Sequence, residues 1–152
     1  MGFLRGQGAT EYLVLLAVVL IVALVSVALL GFFPGMASDA RIAQSQSYWR
    51  GQARPFAILE NSCSSSTATC TLVIQNMEAN GPYTLTTMGI SNASNTSLTV
   101  AYAAGETKTM SVNGLHGTSG AVYDYNVTVT YTTPNSVTSK QYGAKNMIGK
   151  FV

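Results

Sequence analysis

Few side chains of this 152-residue chain could support catalysis, and they are widely spaced. His116 is the only histidine, so a serine, histidine and acid triad would have to form on the Gly-rich stretch NGLHGTSG with Asp124 as its acid. A turn residue is the simpler interpretation of His116. The sequence contains no paired carboxylates, no phosphate-binding Gly motif and no cluster with metal-ligand spacing. It therefore predicts no enzyme, no metal site and no cofactor.

The two cysteines, Cys63 and Cys70, enclose the polar stretch SSSTAT. Two thiolates without a neighbouring histidine cannot complete a tetrahedral zinc shell. Their spacing suits a disulfide across the end of a hairpin, and two free buried thiols are the alternative. A disulfide would favour an oxidising, extracytoplasmic compartment.

Three asparagines, Asn92, Asn95 and Asn126, begin the triplets NAS, NTS and NVT, which match the N-glycosylation sequon. Such triplets arise often in sequences rich in Asn and Thr, so an unmodified asparagine is the alternative at each position. Glycans here would add polar surface to a part of the chain that carries little charge.

Charged residues are scarce after Arg54. They are Glu60, Glu78, Glu106, Lys108, Asp124, Lys140, Lys145 and Lys150. Acids and bases balance, and no basic face is clustered as a nucleic-acid-binding surface requires. Nucleic acid is therefore excluded as a partner.

Residues 54–152 alternate polar with apolar, β-branched or aromatic residues, and turn sequences such as ANGP, AAGE and TPNS separate the alternating stretches. The alternation is clearest in VYDYNVTVTY, which reads as part of one strand. These features predict an antiparallel all-β sandwich of seven or eight short strands. We expect this region to form a head domain behind a long N-terminal helix, in an α+β chain.

A single carboxylate, Glu11, directly precedes Tyr12–Phe33, 22 residues without a charge. As a helix this segment would be about 33 Å long, enough to cross a hydrocarbon layer about 30 Å thick. Helical composition extends over residues 7–53, and Pro34 predicts a kink near 31–35 because proline removes a backbone donor. The segment is predicted to enter a membrane at least temporarily.

Three explanations compete for this N-terminal region. A secretory signal peptide usually has an apolar region of about 7 to 15 residues, which is shorter than the one here. A simple signal anchor tethering an extracellular β-domain fits the length but assigns no role to Glu11. A lone acid at a helix start is often only favourable with the helix dipole.

The third explanation accounts for the carboxylate. The stretch RGQGATEYL resembles the processing site of archaeal type IV prepilins, which carry a class III signal peptide. The resemblance is carried by Arg5, Gly6, Gln7 and Glu11, followed at once by the apolar helix. It implies a leader of residues 1–6, cleavage between Gly6 and Gln7, and Glu11 as the fifth residue of the mature chain.

The resemblance also implies a function. Family members are structural subunits of extracellular filaments, inserted in the membrane before assembly and polymerised through the N-terminal helix, and this subclass serves surface adhesion. The implied partners are copies of the same chain, the prepilin peptidase, the pilus assembly machinery in the membrane, and an external surface or cell. Glu11 would pair with the new amine at Gln7 of a neighbouring subunit. The alternatives are an archaellum filament subunit for motility and a membrane-anchored extracellular β-domain binding module that does not polymerise.

Overall fold

The computed structural model describes residues 7–91, 93–95 and 98–152. One long helix precedes a set of antiparallel sheets, so the predicted α+β class is confirmed. The chain divides into two compact units, one extending to Asp39 and the other, here called the β unit, spanning Ala40–Val152. The β unit therefore contains the last turns of the helix as well as the sheets.

The helix α1 spans Gln7–Gly51. Its helical assignment is continuous through Pro34, so the apolar segment and the polar turns that follow it belong to one element. A kink near 31–35 stays a prediction. The helix closes where the backbone N–H groups of Gln52 and Ala53 both donate to the carbonyl oxygen of Tyr48, at 2.9 and 3.0 Å.

Ten strands follow within the described residues, more than the seven or eight expected. They are β1 (Phe56–Ser64), β2 (Thr69–Asn76), β3 (Tyr83–Ile90), β4 (Ala93–Asn95), β5 (Val100–Tyr102), β6 (Thr107–Asn113), β7 (Val122–Tyr125), β8 (Val127–Thr132), β9 (Thr138–Tyr142) and β10 (Met147–Lys150). The short β4 was not predicted. The single strand expected through Asn126 is two strands, because β7 pairs with β10 whereas β8 pairs with β3 and β9.

The strands form three antiparallel sheets, ordered β1-β2-β6, β4-β3-β8-β9 and β10-β7, with β5 also paired to β3. Buried side chains of the two larger sheets, such as Leu72 and Ile74 of β2 and Leu85 and Met88 of β3, belong to one hydrophobic cluster. The alternation along β2 explains this arrangement, because Leu72 is fully buried while its neighbour Thr71 is exposed. The sheets therefore pack as a sandwich around a shared core.

One end of this core is aromatic. Phe56 lies edge-on to the rings of Tyr83, Tyr102 and Tyr131, with centroid separations of 6.4, 5.2 and 5.7 Å. Such edge-to-face pairs each add a fraction of a kcal/mol, up to about 1.5, beyond the area that they bury. The ring of Tyr102 also lies under the Lys108 ammonium, 5.3 Å from its centroid.

Two buried tyrosine hydroxyls differ in their hydrogen bonding. The Tyr102 hydroxyl is buried without a hydrogen-bond partner among the described residues. Burial, together with the nearby Glu106 charge, raises the pKa of Tyr102 to about 12. The Tyr123 hydroxyl accepts a hydrogen bond from the Asn61 side-chain amide at 2.6 Å, and burial is the main cause that raises the pKa of Tyr123.

We expect Tyr102→Phe to leave the free energy of unfolding unchanged or to raise it by up to about 1 kcal/mol, because the hydroxyl removed has no partner. Tyr123→Phe, the matched variant, should lower it by about 1 kcal/mol since the Asn61 amide loses its acceptor. Denaturant titration followed by the fluorescence of Trp49, the one tryptophan, measures both. A clear loss of stability in Tyr102→Phe would show that this hydroxyl is hydrogen-bonded in solution.

The same tyrosine predicts a limit to alkaline stability. The folded pKa of Tyr102 is about 12 and its unfolded value is about 10, so above pH 10 the folded state holds the proton more tightly. The stability that neutral Tyr102 contributes is complete below about pH 10 and is lost as the pH rises toward about 12. Titration of tyrosinate absorbance should show a late component near pH 12 that Tyr102→Phe removes; an unchanged titration curve in that variant would contradict the assignment.

Candidate functional site

The surface of α1 is apolar on all sides along the stretch that follows Glu11. Between Tyr12 and Leu30 the large apolar side chains are 43 to 71 % exposed. The five consecutive residues from Tyr12 to Leu16 are all exposed, and at about 100° per residue they encircle the helix. The one hydroxyl deeper in this stretch, that of Ser26, donates to the carbonyl oxygen of Val22 at 2.7 Å. This stretch of helix therefore lacks a polar face and needs an apolar environment around its whole circumference.

Among the described residues one helix, Gly8–Gly51, is long and apolar enough to cross a membrane. The core helix of a soluble protein also passes such a test, but it buries its apolar side chains, and the most apolar window of this helix is not buried. A signal sequence near the N-terminus passes the same test. The helix is therefore a candidate membrane span.

Glu11 lies four residues after the first helical residue, Gln7, and its side chain is exposed. Thr10, Val14 and Leu15 border it on the helix surface. A carboxylate this close to the N-terminus interacts favourably with the helix dipole. Gly6 lies outside the described residues, so cleavage between Gly6 and Gln7 stays a prediction.

The last turns of α1 are bonded into the β unit. The buried Ser45 hydroxyl donates to the carbonyl oxygen of Asn146 at 2.7 Å and accepts from the backbone N–H of Ile148 at 3.0 Å. The Tyr48 hydroxyl accepts from the backbone N–H of Ala144 at 2.9 Å. These contacts tie the end of the helix to β10 and to the turn before it.

Trp49 fills the space beside the same turn. Its side chain is 2 % exposed, and a Cβ atom added at Gly143 would lie only 2.3 Å from its ring. Glycine is therefore needed at position 143 for the indole to pack. Ile42, Ser45 and Trp49 are three and four residues apart, so they lie on one face of the helix.

Arg41 also links α1 to the sheets. Its guanidinium donates to the Asp124 carboxylate at 2.5 Å, and the Asn146 side-chain amide donates to the other carboxylate oxygen at 2.7 Å. The Arg41 side chain is 62 % exposed, so the ion pair itself contributes little free energy. Asp124 thus has structural partners that sequence analysis, which named it only as a possible triad acid beside His116, did not identify.

The remaining predicted positions are distributed over the β unit. Cys63 and Cys70 are directly opposite each other on β1 and β2 and form a disulfide, both fully buried. Asn126 is exposed between β7 and β8, and its carbonyl oxygen accepts from the backbone N–H of Ser91. Asn95 lies in β4, and Asn92 lies outside the described residues. No group of three or more His, Cys, Asp or Glu side chains in the described part of the chain could hold a metal ion.

Comparison with protein-family models, with curated proteins and with solved structures finds no match to this chain. The resemblance to archaeal type IV prepilins therefore rests on the N-terminal motif and on the order of helix and sheets.

We expect Ser45→Ala to lower the free energy of unfolding of the β unit by about 1 to 3 kcal/mol, because it leaves the carbonyl of Asn146 and the N–H of Ile148 without their partner. Ser47→Ala is the matched control, since Ser47 is an exposed serine of the same helix. Trp49 fluorescence during denaturation reports on the transition. Equal stability of the two variants would show that the hydrogen bonds of Ser45 do not hold the helix end in place.

Proposed function

We propose that this chain is the structural subunit of an extracellular type IV pilus-like filament that polymerises through its N-terminal helix. The observation that carries the proposal is the surface of α1, whose large apolar side chains between Tyr12 and Leu30 are 43 to 71 % exposed on every side. The β unit, in contrast, has its own closed core. Such a helix is stable in lipid or among copies of itself.

The energy available to such a polymer is large. Burying about 1,500 Å² of apolar surface per helix at about 25 cal/mol per Å² would contribute several tens of kcal/mol before the entropy cost of association. Helices that share one orientation make head-to-tail contacts, which do not close on themselves. An open helical polymer of no set length follows.

In this proposal Glu11 fixes the axial offset between neighbouring subunits. An isolated carboxylate among apolar helices costs several kcal/mol unless a partner neutralises it. Removal of residues 1–6 would create a positively charged amine at Gln7. Pairing of that amine with Glu11 of a neighbouring subunit would offset the cost and select one axial offset between subunits.

The β unit suits the outside of such a filament. Its disulfide between Cys63 and Cys70 fits an oxidising compartment outside the cytoplasm. Asn126, the residue that would carry a glycan, is exposed at the start of its sequon. We assign the filament to adhesion, with the prepilin peptidase and the membrane assembly machinery as partners before assembly and an external surface or cell afterwards.

A second function is favoured by the membrane-span character of the same helix: a membrane-anchored extracellular binding module that never polymerises. An archaellum filament for motility would use the same helix contacts as an adhesive pilus. The archaellum filament would move the cell, whereas the adhesive pilus would bind a surface. The anchored module differs from both because it forms no filament.

Assembly tests the proposal. Cells that produce the chain should carry filaments whose peptides come from it, and Glu11→Gln should reduce filament yield about tenfold or more, since a loss of about 1.4 kcal/mol per contact is tenfold in equilibrium. Electron microscopy of sheared filaments, with peptide sequencing, measures the yield. The control is Glu60→Gln, which removes an exposed carboxylate in β1.

Two outcomes would overturn parts of this proposal. If the protein is found only as dispersed molecules in the membrane fraction, and the cells carry no filaments, the membrane-anchored binding module is the correct function. If Glu11→Gln forms filaments with normal yield and an unchanged axial rise per subunit, the proposed pairing of Glu11 is wrong. The proposal of a filament would still stand.

A further inference from the structure

The outer face of the sheet β4-β3-β8-β9 carries an ordered array of threonines. The strand register sets three rows across β3, β8 and β9: Thr84, Thr132 and Thr138; Thr87, Thr130 and Lys140; Gly89, Thr128 and Tyr142. Alternate residues of these strands, such as Leu85, Val129 and Gln141, are buried on the inner face. We call the nine outward positions the threonine face.

The threonine hydroxyls of this face have no hydrogen-bond partner among the residues that the structure describes. Within the described residues, none of its six threonine hydroxyls makes a hydrogen bond; the nearby Thr86, which lies at an irregularity in β3 outside the rows, does bond, to the carbonyl oxygen of Thr130. A hydroxyl can donate one hydrogen bond and accept two. The face therefore offers a regular set of groups that can both donate and accept.

The outer face of the other large sheet uses several of its polar groups internally. Thr69 donates to the Asn113 side chain at 2.9 Å, Thr71 lies 3.4 Å from the Ser111 hydroxyl, and Ser64 pairs with Ser66 at 3.0 Å. The two outer faces thus have similar composition but different hydrogen-bonding capacity. That contrast singles out the threonine face.

Gly89 and Tyr142 shape one row of the face. Among the described atoms, a Cβ atom at Gly89 would meet the Thr128 backbone and side chain at 3.7 and 3.9 Å, which is ordinary contact, and Gly89 has no positive φ. Glycine in a strand interior often marks a bulge, a tight bend, or a place where a ligand or another backbone approaches closely. Thr128 separates this notch from Tyr142, whose side chain is 68 % exposed.

We propose that the threonine face binds a neutral polysaccharide, with a sugar residue in the Gly89 notch and another stacked on Tyr142. An apolar partner is disfavoured because it would bury hydroxyls without hydrogen bonds. An ionic partner is disfavoured because Lys140 is the only charged residue among the nine positions. A tyrosine ring offers an apolar surface with a polar tip, which suits the mixed faces of a sugar.

The geometry favours an extended chain over a single sugar. Along β8 the outward residues Thr128, Thr130 and Thr132 are spaced by about 6.8 Å, and the neighbouring strands lie about 4.8 Å away, so this strand presents hydroxyls at regular intervals. A linear polysaccharide has hydroxyls that repeat along its length in the same way. This inference names the surface that adhesion would use and to that extent rests on the proposed function.

The test is affinity electrophoresis of the full chain, produced in a bacterial host that attaches no N-glycans and dissolved in a detergent whose headgroup carries no sugar. Gels contain dextran, laminarin or mannan as neutral probes and alginate as the anionic one. We expect retardation by at least one neutral polysaccharide and none by alginate. Retardation by alginate alone, or by none of the four, would overturn the proposal.

Three variants locate the site. Tyr142→Ala should weaken binding about fivefold through loss of stacking. Thr128→Val, Thr130→Val and Thr132→Val combined should weaken it about tenfold or more, and valine keeps the shape and the strand preference of threonine. Gly89→Thr should abolish binding by filling the notch, and its Cβ atom fits without displacing the backbone.

The matched control is Thr109→Val, an exposed threonine on the outer face of the other large sheet. Trp49 fluorescence verifies that each variant folds. Equal effects of Thr109→Val and the triple variant would overturn the assignment of the face. If the wild-type chain is not retarded by any polysaccharide and the triple variant forms smaller oligomers, the threonine face is a contact between copies of the chain. That result would also overturn the proposal.

The result is independent of filament formation. The chain is dispersed in detergent during the test, so a subunit that forms no filaments could still bind polysaccharide. Filaments that assemble normally from chains with no affinity for the probes would refute this inference and leave the proposed function standing.

Discussion

The unfavourable hydration of the apolar part of α1 is the constraint on which the rest depends. Between Tyr12 and Leu30 every side of the helix is apolar, and no rotation of the helix would present a polar face to water. The segment must therefore be surrounded by lipid or by other apolar helices throughout its existence. A helix that leaves the membrane can meet this requirement only by association, which is why we connect the surface of one helix to the assembly of a filament. In the filament that we propose, Glu11 at the edge of this surface is the charge whose partner that association would provide.

One continuous helix belongs to two different environments. As far as Asp39 it forms a unit of its own, whereas from Ala40 onward it is part of the β unit, where Ser45 and Trp49 are buried. The Ser45 hydroxyl donates to the carbonyl oxygen of Asn146 and accepts from the backbone N–H of Ile148, and Trp49 packs on Gly143, which together give the helix end a defined position there.

The β unit depends on hydrophobic burial and hydrogen bonds more than on charge. Its described ion pairs, including Arg41 with Asp124, are exposed and weakly stabilising. A disulfide closes the β1-β2 hairpin, and hydroxyl-bearing side chains cover both outer faces. The low charge of the β unit leaves the threonine face suited to a neutral, hydroxyl-rich partner.

The sequence by itself determined the features that depend on local periodicity and composition. The apolar run, the position of Glu11 before it and the alternation of the strands indicated the α+β class, because a long apolar run and a period of two are both properties of neighbouring residues. Tertiary structure decided which strands pair. The alternation in VYDYNVTVTY continues unchanged through Asn126 although β7 and β8 join different sheets, since period two records which face is buried and not which strand lies alongside. The tertiary structure also decided the roles of Ser45 and Gly143, because helix packing brings them next to residues that are far away in sequence. The rows of the threonine face likewise depend on strand register, which joins residues from three separate strands.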